Sequence, residues 1–129
     1  LINRPKVLLL DEPFRGLDHM SRGLMQEYFL RLFEDEGITT LFVTSEVDEA
    51  ILLADRVIVL SYKPTAVKSI LDVFLPRPRT FQMQTLPQFA ELKGATLQLL
   101  YEEALKGFVK GTAASAELDR LMAAQRSMR

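Results

Sequence analysis

Val7, Leu8, Leu9 and Leu10 run without a break into Asp11, Glu12 and Pro13, and this junction restricts the fold more than any other stretch of the sequence. A short run with no polar alternation is the pattern of a strand buried on both faces, the usual situation in parallel α/β sheets. Pro13 has no N–H to give to a ladder, so the strand is expected to stop near Asp11. Two carboxylates then stand at its C-terminal end.

The residues that follow fit the same architecture. Asp18 is placed as an N-cap, and Leu24, Met25, Tyr28, Phe29, Leu32 and Phe33 recur at helical spacing between Ser21 and Asp35. Gly37 is expected to close that helix. Thr39 to Thr44 reads as a second strand, and Glu46 to Asp55 as a helix with Val47, Ala50, Ile51 and Ala54 on one face. Arg56 to Leu60 reads as a third strand. A turn at Lys63-Pro64-Thr65 then leads to a further extended segment from Ala66 to Leu75. Strands alternating with helices predict an α/β fold with βαβ units and a parallel sheet.

Pro76-Arg77-Pro78-Arg79 breaks this pattern and divides residues 1–75 from a helical extension over 76–129. In the extension, Phe89, Leu92, Thr96, Leu99, Leu100 and Phe108 mark an amphipathic helix, and Ser115 is expected to cap a last short one through Met122.

Composition narrows the function classes. A chain of 129 residues with 48% hydrophobic and 26% charged side chains has the make-up of a soluble globular protein with a single core. Cys is absent, which excludes a disulfide framework and thiolate-bound zinc. No apolar run approaches the roughly 20 residues that span a bilayer, so a cytosolic location is expected. The net charge of −1 gives no general attraction to nucleic acid. Residues 1–75 carry 8 basic and 12 acidic side chains, and 76–129 carry 8 and 5, a mild asymmetry of the kind solvated helices show.

Chemistry concentrates at the end of the first strand. An acid there can bind Mg²⁺, which prefers oxygen ligands and keeps several waters. A second acid can polarise the water that attacks a γ-phosphorus, since phosphoryl transfer depends mostly on positioning and charge neutralisation. Asp11 is assigned to the metal and Glu12 to the base. An acid pair after a strand also serves simply to solvate its end, and the surrounding motifs decide between the two accounts.

Leu-Leu-Leu-Asp-Glu-Pro-Phe at 8–14, followed by Gly16, Leu17 and Asp18, resembles the Walker B and D-loop of ABC-transporter ATP-binding subunits. Val43-Thr44, Asp48-Glu49-Ala50 and Leu53-Ala54-Asp55-Arg56-Val57 resemble the switch region that follows in these proteins. Leu60 to Arg79 further resembles the nitrate, sulfonate and taurine importer branch. Several separated motifs in order, over roughly residues 1–108, carry more weight than one. The resemblance implies part of a P-loop NTPase (RecA-like) fold that uses ATP and Mg²⁺. It also implies a second ATP-binding subunit facing Gly16, Leu17 and Asp18, membrane permease subunits, a solute-binding protein in the same system, and a place on the cytoplasmic face of the membrane. No nucleic-acid partner is implied.

The sequence departs from the family at two points. The switch position after the Val-Thr strand normally holds a histidine; here it holds Ser45, which is shorter and carries no charge. The sole histidine, His19, follows Asp18 and is expected on a helix surface, as are the charges of Asp48, Glu49 and Asp55. The sequence also contains no G-x-x-x-x-G-K-[ST] loop to cradle phosphates, no glutamine loop and no signature motif. In the family these stand before the Walker B, so an upstream segment is expected before Leu1. Without it, Val7, Leu9, Val43 and Val57 are expected to lose neighbours, and the isolated chain is expected to be marginally stable and to hydrolyse nothing. Two readings remain: part of a transport ATPase for a small anion, or a non-catalytic dimerisation or regulatory module derived from one.

Overall fold

The computed structural model describes residues 6–127. Strand β1 (Val7–Asp11) leads to helix α1 (His19–Glu36), strand β2 (Thr39–Val43), helix α2 (Val47–Leu53) and strands β3 (Arg56–Leu60) and β4 (Val67–Asp72). A 3-10 segment at Phe81–Thr85 precedes helix α3 (Pro87–Ser127). The architecture is α/β, with a short parallel sheet, flanking helices and a long C-terminal helix.

The ends of α1 follow from local chemistry. Asp18 accepts a hydrogen bond from the backbone N–H of Ser21 at 2.7 Å, supplying one of the helix's orphan donors. Gly37 takes the left-handed conformation at φ 63° and donates to the Phe33 carbonyl, which ends the helix cleanly. The buried face of α1 differs from the expected one. Gln26 and Leu30 are its buried residues, whereas Leu24, Met25 and Tyr28 lie exposed. Gln26 is drawn inward by a buried carboxylate on α2, described below, and this rotates the helix so that of the expected stripe only Phe29, Leu32 and Phe33 are half-buried.

β1 and β2 pair in parallel, in the register Val7↔Thr39 through Asp11↔Val43. The expectation that the parallel sheet continues into β3 is not met among the described residues. β3 pairs instead with β4, antiparallel, as a separate two-stranded ribbon joined by the turn at 61–66. A strand's composition does not specify its partner, and the short connection from β3 to β4 permits a hairpin. β1 is also not buried on both faces: Leu8 and Leu10 are half-buried, while Val7 and Leu9 are exposed, as are Leu41 and Val43 on β2. Of the four residues expected to lose neighbours, Val57 has them, since it lies in the core.

That core lies between α1, α2, the ribbon and the start of α3. It comprises Phe14, Leu30, Ile51, Leu52, Leu53, Val57, Val59, Val73, Leu75 and Phe89. Phe14 anchors its edge, with ring centroids 5.2 Å from Phe29 and 5.6 Å from Phe42.

The Pro-Arg-Pro-Arg stretch is fastened down by its arginines. Arg79 is only 6% exposed. Its guanidinium donates to the carbonyls of Ile51 (3.1 Å), Leu52 (3.1 Å) and Ala54 (2.5 Å). These belong to the C-terminal end of α2, where the helix leaves carbonyls unpaired and its dipole favours a cation. Burial, first, and then the neighbouring Arg77 charge bring the Arg79 pKa down to about 10, so it stays charged at neutral pH. Arg77 reaches Asp55 Oδ1 at 2.9 Å, Glu34 Oε1 at 3.2 Å and the Leu53 carbonyl at 2.9 Å.

α3 is one continuous helix of 41 residues, not two. Ser115 lies inside it, because Ala113, Ala114 and Ala116 around it favour the helix more than a serine cap interrupts it. Its first half docks on the ribbon. Lys68 binds Glu102 (2.6 Å), Glu103 (2.7 Å) and the Leu99 carbonyl (3.0 Å), and the Tyr62 N–H donates to Glu103 at 2.8 Å. Residues 108–127 are exposed throughout. Among the described residues no helix is long and apolar enough to cross a membrane.

Candidate functional site

The parallel register brings the C-terminal ends of β1 and β2 to one edge, where open α/β sheets bind their ligands. Asp11 stands opposite Val43 at that edge and is exposed. Glu12 comes next, and its N–H still donates to the Val43 carbonyl at 2.7 Å. Its backbone has turned to φ 42°, a left-handed conformation that costs a non-glycine residue about 1–2 kcal/mol. Ladder pairing on one side and the Phe14 ring in the core on the other hold the turn in place.

The turn aims the Glu12 carboxylate across the gap to β2. Oε1 accepts the Ser45 backbone N–H at 2.9 Å, and Oε2 pairs with Arg15 at 2.7 Å. The Ser45 hydroxyl and then its N–H, helped by the Arg15 and Arg22 charges, hold the Glu12 carboxyl below the usual range against the opposing effect of burial. Glu12 is therefore ionised at neutral pH. It suits orienting a water through an accepted hydrogen bond better than early capture of its proton. Ser45 thus contacts the acid itself through its backbone N–H, at the position where the family normally holds a histidine.

Gly16, Leu17 and Asp18 form the connection into α1. Gly16 has φ 85°, a conformation open to glycine at no steric cost, and the Leu17 N–H returns to the Phe14 carbonyl at 3.2 Å. Asp18 is exposed, and its carboxyl is held low by the Ser21 N–H and hydroxyl. His19 opens α1 and is exposed.

Asp11 is the residue that the sequence assigns to a metal ion. Among the described residues no three His, Cys, Asp or Glu side chains converge on a metal position. One exposed carboxylate fits a cation that takes its other oxygens from phosphates and water, which is how Mg²⁺ usually arrives with a nucleotide.

One group of residues is not where the sequence placed it. Glu49, expected on the helix surface with Asp48 and Asp55, is buried and accepts a hydrogen bond from Gln26 Nε2 at 2.6 Å. Arg22 lies 3.6 Å from both Glu49 Oε2 and Glu46 Oε1, and donates to the Phe14 carbonyl at 3.0 Å. The only sequence signal was the polar Gln26 amid apolar neighbours. Asp48, by contrast, pairs with Lys93 at 3.0 Å, and Asp55 with Arg77, both as surface contacts.

No family model matches the chain. Individual proteins do. The chain is 43% identical over 102 residues to a nitrate import ATP-binding protein of Synechococcus elongatus, a match covering 78% of this chain and 16% of that protein. It is 41% identical over 106 residues to an uncharacterized ABC transporter ATP-binding protein of Methanocaldococcus jannaschii, covering 82% and 39%. A bicarbonate transport ATP-binding protein of Synechococcus elongatus is 48% identical over 80 residues, covering 61% and 12%. The chain spans well under half the length of these curated relatives. Over most of its own length it is related to the ATP-binding proteins of ABC transporters, as the order of its motifs implied.

Proposed function

We propose that this chain supplies the metal-and-water edge of the ATP site in an ATP-binding subunit of an ABC importer for small anions. The observation that carries the reading is the hydrogen bond from the Ser45 N–H to Glu12 Oε1 at 2.9 Å, which ties the two strand ends into one acidic edge. In this reading Asp11 takes the Mg²⁺ that neutralises the phosphates, and Glu12 accepts a hydrogen bond from the attacking water. Ser45 holds Glu12 in place. Gly16, Leu17 and Asp18 face a second ATP-binding subunit across the nucleotide.

The phosphate-cradling loop and the signature motif, absent from this sequence, come from the remainder of such a subunit. That remainder also covers Val7, Leu9, Leu41 and Val43. Permease subunits, together with a solute-binding protein, complete the importer, and the ATP-binding subunit sits on the cytoplasmic face of the membrane. The relatives' names, nitrate import and bicarbonate transport, support a small anion as the solute. They agree with the importer branch that Leu60 to Arg79 resembles, whose other solutes are sulfonate and taurine.

The test uses the full-length polypeptide that carries this chain. Glu12→Gln keeps the shape and removes the charge, so ATP binding is expected to persist while hydrolysis falls at least about 100-fold. Hydrolysis at the wild-type rate in that variant removes Glu12 from the reaction.

A further inference from the structure

Glu12 and Ser45 belong to different segments, and their hydrogen bond is only as precise as the device that fixes one segment against the other. The last bond between the two strands runs from the Glu12 N–H to the Val43 carbonyl at 2.7 Å, so the rest of the Glu12 turn and Ser45 lie beyond the ladder. Beyond that point a second connection exists, and it runs through Arg22. One arm of its guanidinium donates to the Phe14 carbonyl at 3.0 Å, in the turn that follows Glu12. The other arm lies 3.6 Å from Glu46, the N-cap residue of α2 beside Ser45, and 3.6 Å from Glu49 one turn further on. Gln26, one turn along α1 from Arg22, donates to the same Glu49 oxygen at 2.6 Å. The path closes on itself, from Glu12 to Ser45, through the start of α2 to Glu49, across Arg22 to Phe14 and back to Glu12.

A closed path of this kind needs a reason. The Glu49 side chain is 2% exposed and Gln26 is also buried, so a carboxylate and an amide have been taken out of water. Well-packed apolar residues in such places are often as stabilising as the ion pair or more so. Conformational uniqueness is what a buried polar network supplies instead. Arg22 is suited to it, because a planar fork with five donors fixes direction as well as distance.

We propose that Arg22, seated on the Glu49 carboxylate that Gln26 also holds, is a positioning residue that holds the Glu12 turn against the Ser45 end of α2. It touches neither nucleotide nor water. Its kinetic consequence rests on the ATP-site reading above, whereas its structural consequence does not.

Both consequences are measured in the full-length polypeptide carrying this chain, with Arg22→Gln, Glu49→Gln and the double variant. Misplacing a reacting group by about an ångström costs up to about 100-fold in rate, so kcat for ATP hydrolysis is expected to fall about 10- to 100-fold with KM for ATP within about twofold. The double variant is expected to be no slower than the worse single one, because the two side chains act as a unit. Amide hydrogen exchange at fixed pH is expected to quicken at Ser45 in every variant and to stay unchanged at Gly37, whose N–H is bonded within α1's own C-cap.

Unchanged exchange at Ser45 overturns the proposal, and so do kcat losses that simply add. Faster exchange at Ser45 and Gly37 alike also overturns it, because that marks general loosening. Should Arg22→Gln not fold, Glu49→Gln, which keeps shape and an acceptor oxygen, decides alone. A wild-type polypeptide that hydrolyses no ATP removes the ATP-site reading, and the exchange measurement still decides the role of Arg22.

Discussion

The two small sheets of this molecule each leave one apolar face exposed, and they differ in how deeply the other face is buried. On the parallel pair, Val7, Leu9, Leu41 and Val43 are 57%, 69%, 51% and 50% exposed. Their inward neighbours Leu8, Leu10 and Phe42 are only half-buried. On the antiparallel ribbon, Ile58, Leu60, Val67 and Ile70 are exposed in the same way, but Val57 and Val59 on the inner face are 7% and 3% exposed, closed over by α2, α3 and Leu75. The chemistry sits on the first sheet and the packing on the second. The open face of the first sheet is left to the remainder of the polypeptide, while its C-terminal edge takes its rigidity from directional bonds such as Glu12 to Ser45. The ribbon, with no ligand to admit, gains its rigidity from burial.

This contrast breaks or sharpens on four stability measurements, each made as a urea midpoint. The largest effect is expected at Ile51, which is fully buried: Ile51→Ala should cost about 3–4 kcal/mol by leaving a cavity. Arg79→Met comes next. It strips the donors from the carbonyls at the end of α2 and should cost about 2–3 kcal/mol, since buried acceptors left unpaired bear their full desolvation penalty. Losses under about 0.5 kcal/mol at either position would place the stable half of the molecule elsewhere.

A pH series is the third measurement. Lys68 first, then Lys106 and the Tyr62 N–H, hold the Glu103 carboxyl at about 2 against an ordinary 4.5. Its ionised form is therefore favoured by folding. The stabilisation is fully present above about pH 4.5 and is lost as pH falls towards about 2. Glu103→Gln should flatten the midpoint's slope in that window, and an unchanged slope would show that the clamp on α3 contributes nothing. The smallest effect is expected at Leu9, on the face left open in this chain without the remainder of the subunit, where Leu9→Ala should change the chain's own stability by no more than about 0.5 kcal/mol. A large loss there would mean that the face is covered in solution, and the comparison between the sheets would fail.

How far the sequence foretold each half follows the same division. The end of β1, the N-cap at Asp18, the C-cap at Gly37 and the second strand were legible because each depends on neighbours a few residues away. The acidic edge was legible because its residues lie in one short motif. The burial of Glu49 and Gln26 was not, since it requires two helices to meet at a particular rotation. The α1 stripe misled for the same reason: Leu24 and Tyr28 have helical spacing, and the partner helix selected a different face. Arg77 and Arg79 read as loop punctuation between prolines. Their work at the end of α2, more than twenty residues back along the chain, had no local signal. The pairing of β3 with β4 depended on which strand lay nearest, which composition does not encode.

The left-handed backbone at Glu12 has a consequence for how this sequence is allowed to change. At φ 42° glycine relieves strain, and asparagine tolerates the conformation better than glutamate. Selection for thermal endurance alone would therefore favour asparagine over glutamate at position 12, gaining at most about 1 kcal/mol less what the Ser45 and Arg15 contacts contribute. Retaining a carboxylate there runs against that preference. In a collection of chains mutated at random and screened only for solubility or melting temperature, position 12 should be among the first to lose its acid, and the site would disappear from molecules that fold better than their parent.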